Sequence, residues 1–115
     1  METRRIVLKF RAVNRDIFEA ISAGRKKIET RAATKKYAGI KAGDLVVLAC
    51  GDRRCEKKVA RVETFRSVAA ILNKYRPETI NPATHTVQEA RAMWFGFPGY
   101  KEKIRKHGLI ALHLK

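Results

Sequence analysis

Lys26, Glu29 and Arg31 are the residues of this 115-residue chain whose types and spacing most readily do chemistry. They stand in the stretch Gly24-Arg25-Lys26-Lys27-Ile28-Glu29-Thr30-Arg31. Glycine suits the left-handed position just past a helix, so Gly24 marks a turn. From Lys27 onward the order polar, apolar, polar, polar, polar gives a short strand signal carried by Ile28. On a strand, the period of two puts Glu29 and Arg31 on one face and Ile28 and Thr30 on the other, with Ile28 toward the core. Lys26 sits in the turn and can swing to the Glu29/Arg31 face. Two cations and one carboxylate then share a short length of backbone. Two uses fit that cluster. One is a solvated charge pair worth at most about 1 kcal/mol. The other is a ligand site, with Arg31 making planar bidentate contacts and Lys26 taking phosphate or carbonyl oxygens. Spacing alone leaves both open.

Few other residues offer comparable chemistry. Cys50 and Cys55 form a C-x4-C pair around Gly51-Asp52-Arg53-Arg54 and flank a hairpin loop. With no C-x-x-C or H-x-H partner they make no zinc site, and they read as ordinary thiols. His85, His107 and His113 do not pair at metal or relay spacing; His107 is expected to interact with a helix C-terminus and His113 with solvent at the chain end. No metal or cofactor is expected.

The elements that must position the triad follow in order. Arg5–Phe10 reads as the first strand, with Ile6, Leu8 and Phe10 on one face. Asn14 or Asp16 caps a helix that ends near Ala23 and carries Ile17, Ala20 and Ile21 at helical spacing. The Glu29 strand comes next, then the basic loop Thr34-Lys35-Lys36-Tyr37 and a turn at Gly43-Asp44. Leu45–Ala49 reads as a buried strand paired with Lys57–Phe65. Thr64 is expected to cap a helix carrying Val68, Ile71, Leu72 and Tyr75, which Arg76-Pro77 breaks. Thr86-x-x-Glu89 is a capping box for a helix through Trp94. A short helix over Tyr100–His107 stops at Gly108, and Leu109–Leu114 closes the chain as a strand. The order β-α-β-β-β-α-α-β makes residues 1–115 one α+β domain.

Composition sets the limits. Hydrophobic residues at 45% fit a folded globule with a modest single core. No apolar run of about 18 residues exists to span a membrane. The start Met1-Glu2-Thr3-Arg4-Arg5 lacks the apolar core of a signal peptide, so a cytoplasmic protein is expected. Lys and Arg number 26 against 11 Asp and Glu, a net charge of +15 spread along the whole chain. Such a field attracts polyanions, and nucleic acid is the usual partner.

Several landmarks carry a resemblance to a known family. Gly24-x-Lys26-x-x-Glu29-x-Arg31 resembles the G-x-K-x-x-E-x-R signature of ASCH domains, members of the PUA-like superfamily. Leu8-Lys9-Phe10, Ile40-Lys41-Ala42-Gly43-Asp44, Phe97-Pro98-Gly99-Tyr100 and Gly108-Leu109-Ile110-Ala111-Leu112 are similar to that family's opening strand, middle turn and ending, in the right sequence order. The resemblance implies a PUA-like β-barrel of about five to six strands with flanking short helices. It also implies a cleft beside the motif, in a superfamily whose relatives bind RNA or a single modified base. Gly24, Lys26, Glu29 and Arg31 would then form the ligand site. Lys35, Lys36, Tyr37, Arg53 and Arg54 would follow the sugar-phosphate backbone, with Tyr37 as a stacking platform and Trp94, Phe97 and Tyr100 as weaker ones.

The same resemblance implies rivals to plain binding. Some bacterial ASCH relatives are amidohydrolases on acetylcytidine, working with a Lys, a Thr and a Glu. Lys26 matches their lysine, but their Thr falls at Glu29, and their Glu has no acidic counterpart in Thr79-Ile80-Asn81-Pro82. A carboxylate cannot replace a hydroxyl nucleophile without changing the mechanism. Other ASCH proteins are ribonucleases, for which Lys26, Glu29 and Arg31 would serve as acid, base and phosphate clamp. Transcription coactivators that carry the domain imply a third role, as a protein-interaction adaptor. The expectation is an RNA- or nucleotide-binding module, with no membrane partner and an unspecified oligomeric state.

Overall fold

A computed structural model describes residues 4–115. One strand, β4 (Arg53–Phe65), governs the architecture because it is long enough to serve two partners. Its first half pairs antiparallel with β3 (Leu45–Cys50), and its second half pairs antiparallel with β5 (Leu109–Leu114). The register shifts between Val59 and Arg61, where the strand changes partner. An extra residue at such a point bends the strand and raises its twist, so the sheet curls there. β1 (Arg5–Phe10) adds in parallel to β3, and β2 (Ile28–Ala32) adds antiparallel to β5. The strand order β1-β3-β4-β5-β2 makes a five-stranded curled half-barrel with flanking helices, an α+β fold. Its two edges, β1 and β2, are consecutive in sequence. A single helix, α1 (Arg15–Ser22), joins them.

Alternating side chains split the core into two. One sheet face puts Ile6, Leu8, Val46, Leu48, Val59, Ile110 and Leu112 against Ile17, Phe18 and Ile21 of α1. The other face puts Ile28, Ala32, Leu109 and Ala111 against the later helices. Those helices are α3 (Val68–Lys74), α4 (Pro77–Ile80), α5 (Val87–Gly96) and α6 (Tyr100–His107), and a one-turn α2 (Lys35–Ala38) follows β2. Trp94 is fully buried under them, and its indole N–H donates to Thr30 Oγ1 at 2.9 Å. Each buried aliphatic or aromatic side chain of this kind stabilises by roughly 1.5–3 kcal/mol, so the two clusters carry the fold.

Several expectations need correction. β4 begins at Arg53, so the hairpin turn is only Gly51-Asp52 and Cys55 lies within a strand. Ser67 caps α3, accepting from the Ala70 N–H, because the chain stays extended through Thr64 to Phe65. Neither Asn14 nor Asp16 caps α1 with its side chain; Asn14 closes a 3-10 turn instead. α2 is a helical turn where a basic loop was expected, and Pro77 starts a further turn, α4, as well as ending what precedes it. His113 faces Glu63 at 2.7 Å rather than solvent. The capping box of Thr86 and Glu89 forms as its spacing predicts. Among the described residues both cysteines are free, and no helix is long and apolar enough to cross a membrane.

Gly108 is required by close approach. It has φ +74°, and a Cβ built on it would lie 2.4 Å from the carbonyl oxygen of Phe65. Only glycine lets α6 pass into β5 against the end of β4.

A cavity between the two edge strands

The apolar stripe of α1 fixes where the helix lies, and its end fixes Lys26. Gly24 adopts φ +82°, and the N–H groups of Arg25 and Lys26 both return to the Ala20 carbonyl. The chain reverses within one turn, and the Lys26 side chain drops inward. β2 then pairs with β5 so that Glu29 lies opposite Leu112 and Arg31 opposite Ile110, on the α1 side of the sheet. The expected shared face for Glu29 and Arg31 is therefore present, and it is dry. Lys26 is 3% exposed and Glu29 5%.

The three charges form a clasp. Lys26 Nζ donates to Glu29 Oε1 at 3.0 Å and also to the Ile28 carbonyl oxygen. Arg31 meets the other carboxylate oxygen, Oε2, through Nε and Nη2, each at 3.1 Å. The guanidinium lies over the Phe10 ring at 4.7 Å and near the Tyr37 ring at 5.6 Å, and Nη1 reaches the Tyr37 hydroxyl at 3.4 Å. Cation–π attraction to two rings helps to hold the guanidinium in place.

The electrostatics follow from burial. Desolvation works to raise the pKa of Glu29, but the Lys26 and Arg31 charges outweigh it and hold the carboxyl below its usual range. Burial pushes Lys26 below the ordinary lysine value, with Glu29 opposing and Arg31 assisting. Burial also works against Arg31, yet Glu29 leaves it raised. One carboxylate faces two cations. The clasp keeps one surplus positive charge in a desolvated setting.

A cavity of about 190 Å³ opens beside that charge, lined by Lys26, Glu29, Thr30 and Arg31 together with Lys9, Phe10, Arg11, Asn14 and Ile17 on one side and Ile80, Met93, Phe97, Pro98 and Tyr100 on the other. It fills the gap between the edge strands. Burial raises the pKa of Tyr100, whose hydroxyl therefore stays protonated as a donor.

The residues expected at the site fall into three groups. Lys26, Glu29 and Arg31 line the cavity together. Gly24 and Tyr37 act at one remove, Gly24 by turning the chain and Tyr37 by holding Arg31. Lys35 and Lys36 are exposed on α2, outside the cavity lining. Arg53 and Arg54 also lie outside it: Arg53 pairs with Glu19 at 2.9 Å, and Arg54 donates to the Gly51 carbonyl. Trp94 belongs to the core, whereas Phe97 and Tyr100 reach the cavity. Sequence reasoning missed Phe10, Asn14 and Met93. Phe10 had a signal, an aromatic at the end of an edge strand; Asn14 and Met93 had none, because only tertiary packing brings them there.

The sequence model of the ASCH domain family matches residues 12–115. Two solved structures resemble the fold along its length. The crystal structure of the hypothetical protein PH0355 superposes with a TM-score of 0.80 at 25% identity, covering 99% of this chain and 98% of that one. The solution NMR structure of protein PF0455 from Pyrococcus furiosus gives 0.72 at 23% identity, covering 99% and 96%. No curated protein matches the chain.

Proposed function

The chain belongs to the ASCH domain family, and from that premise we propose that it binds RNA or a nucleotide, drawing one base into the cavity beside Lys26, Glu29 and Arg31. The observation that carries this reading is the surplus buried cation on the wall of a ring-sized cavity. A desolvated cation without a full counter-charge is costly, and a carbonyl or phosphate oxygen from a ligand relieves it. The size agrees. A cavity of roughly 150 Å³ holds a benzene ring, whereas drug-sized ligands occupy about 300–1,000 Å³. One planar ring fits inside; its sugar and phosphate stay at the mouth.

The flanking chain has a path. A broader groove between α3, α5 and α6 meets the cavity at Phe97 and Tyr100, which line both. Its walls carry the exposed Arg66, Arg91, Lys101 and Arg105, and Phe95 lies under Arg91 at 5.2 Å. Cations tracking a backbone beside an aromatic platform suit single-stranded nucleic acid. This groove replaces Arg53 and Arg54 as the proposed backbone contact.

The test is fluorescence anisotropy of labelled RNA across a salt series, with the wild type beside a Lys26→Ala/Arg31→Ala double variant. Affinity lost in the variant and still lost at high salt supports the reading. Equal affinities that fall steeply with salt would reduce RNA binding to the +15 field and remove the motif from it.

Catalysis in the same cavity is a second reading, favoured by the lowered pKa of Lys26, a feature of lysines that act as bases. Other groups weigh against it. Both Glu29 oxygens are clasped, and its depressed pKa makes it a weak proton acceptor. The Thr30 hydroxyl serves Trp94, and the Asn81 side chain serves the Ala83 N–H and Met93. Turnover of RNA or of acetylcytidine by the wild type, abolished in Lys26→Ala, would establish the catalytic reading in place of binding alone.

A further inference from the structure

The hydrogen-bond register of β2 leaves one main-chain donor and one acceptor facing the cavity. In an antiparallel pair, residues alternate between those that exchange both bonds with the partner and those whose N–H and C=O point away. The Leu114 N–H donates to the Lys27 carbonyl, and the Ala33 N–H donates to the Gly108 carbonyl. Both pairs keep the register in which Ile28 lies opposite His113. Residues 27, 29, 31 and 33 are therefore the bonded ones. Ile28, Thr30 and Ala32 turn their N–H and C=O groups to the outer edge of the sheet. β2 is an edge strand, so no sixth strand receives them.

Neighbours meet that edge at the Ile28 carbonyl and at Ala32; the Ile28 N–H has no partner among the described residues, but Ile28 lies outside the cavity lining. Lys26 Nζ takes the Ile28 carbonyl. The Thr34 N–H takes the Ala32 carbonyl at 2.8 Å, and the Ala32 N–H faces the Tyr100 hydroxyl. Among the described residues, neither the N–H nor the C=O of Thr30 meets a protein partner. The cavity runs past them. Its lining includes Glu29 and Arg31 from one sheet face and Ile80 and Met93 from the other, an arrangement possible only if it crosses the strand edge between. Thr30 lines it and is 8% exposed.

We propose that the Thr30 main chain reads the ligand: its N–H and C=O pair with a planar ring that carries a hydrogen-bond acceptor beside a donor, as a lactam or an amino-substituted aza ring does. The ring docks as a one-residue continuation of the sheet, and its plane lies near that of the strand. Selectivity then comes from the unmet pair. A buried site that offers a donor and an acceptor rejects a ring lacking either, because its own groups stay unsatisfied. The Thr30 side chain takes no part, since its hydroxyl belongs to Trp94. The proposal relies on the nucleotide reading only for the source of the ring.

The experiment is amide exchange by NMR on the ¹⁵N-labelled full chain. In the free protein the Thr30 N–H should exchange at least tenfold faster than those of Glu29 and Arg31, which the ladder holds. Saturation with 2-pyridone, a lactam ring without sugar or phosphate, should slow the Thr30 N–H at least tenfold. N-methyl-2-pyridone, which lacks the donor, should bind at least tenfold more weakly. Uridine and cytidine 5′-monophosphates should protect the same amide with higher affinity. A Thr30 amide already protected in the free chain overturns the proposal. So does a bound ring that shifts Arg31 and Tyr100 signals and leaves the Thr30 amide unprotected. If neither pyridone nor nucleotide slows it, the proposal fails. Protection by 2-pyridone without binding of either nucleotide keeps the strand-edge reading and sinks the nucleotide one.

Discussion

Replacing one or the other member of the buried pair should have very unequal consequences. In Lys26→Met, Glu29 and Arg31 remain as a neutral couple; in Glu29→Gln, two cations remain with nothing between them. At an effective dielectric of about 20, one contact at 3.0 Å is worth roughly 5 kcal/mol in gross attraction. Lys26→Met forgoes one such contact and the hydrogen bond to the Ile28 carbonyl, but it also removes a repulsion with Arg31 and the several kcal/mol of desolvation of a buried ion. The terms largely cancel, and stability should fall by no more than about 2 kcal/mol. Glu29→Gln forgoes two attractions and recovers the desolvation of one ion. Removing the partner of a buried charge costs about 3–5 kcal/mol. For a domain of this size that is a fall in Tm of roughly 10 °C or more. Urea unfolding followed by circular dichroism measures both. The ligand should discriminate in the other direction, with Lys26→Met keeping the fold and losing RNA affinity. A loss above about 3 kcal/mol in Lys26→Met, or below about 1 kcal/mol in Glu29→Gln, refutes the surplus-charge argument. The pH dependence adds a sign. With its folded pKa below the ordinary 10.5, Lys26 is a group for which the unfolded chain binds a proton that the folded chain does not. Stability from that source rises with pH through this window and is absent below it. Lys26→Met should flatten that limb.

Three other outcomes follow from the geometry. Arg66→Glu/Arg91→Glu should weaken binding of a short single-stranded RNA by about tenfold or more and lower the salt slope by about 2, with mononucleotide affinity unchanged; equal losses for both ligands would remove the groove from the chain's path. Gly108→Ala should cost about 2–4 kcal/mol through the clash with the Phe65 carbonyl, whereas Gly24→Ala, which meets nothing within 4 Å, should cost about 1 kcal/mol for its positive φ alone; similar melting shifts for the two would contradict the close approach. Glu63 is held at a pKa of about 2, because hydrogen bonds from Lys74, Tyr75 and His113 overcome its partial desolvation. A depressed carboxyl contributes stability above its unfolded value and loses it as pH falls through the folded one, so Glu63→Gln should remove part of the acid limb between about pH 4.5 and 2. Screening at the exposed Lys74 and Arg61 keeps that contribution near 1 kcal/mol.

What the sequence revealed and what it hid divide along a physical line. Gly24, the alternation through Ile28 and Glu29, and the Thr86 capping box are local: each rests on residues within one turn or one strand, and each stands where its spacing put it. The joint facing of Glu29 and Arg31 needed only the strand period. Their burial did not follow from it. A charged strand reads as a solvated one until α1 and β5 close over it, and those contacts lie far along the chain. Arg53 and Arg54 were drawn to the site by charge alone, and the hairpin holding them lies away from the cavity. Phe97 and Tyr100, expected only as weaker stacking candidates, line two hollows at once, a property of how α5 and α6 meet.

The half-barrel stays open where the cavity lies, and the proposed recognition depends on that opening. Closing β1 onto β2 would satisfy both edges and remove the liability of unpaired strands. It would also use the outward groups of residues 28, 30 and 32 in a ladder. Instead the chain spends its own side chains on that edge: Lys26 takes one carbonyl and Tyr100 faces one N–H. The clasp that buries Lys26 therefore has two duties, since the ammonium that balances Glu29 also caps the strand beside Thr30. That coupling explains why a costly buried lysine is kept where methionine would pack. Replacing it relieves the charge and bares a second carbonyl on the edge, so a ligand should lose both its counter-charge and the contrast that singles out Thr30.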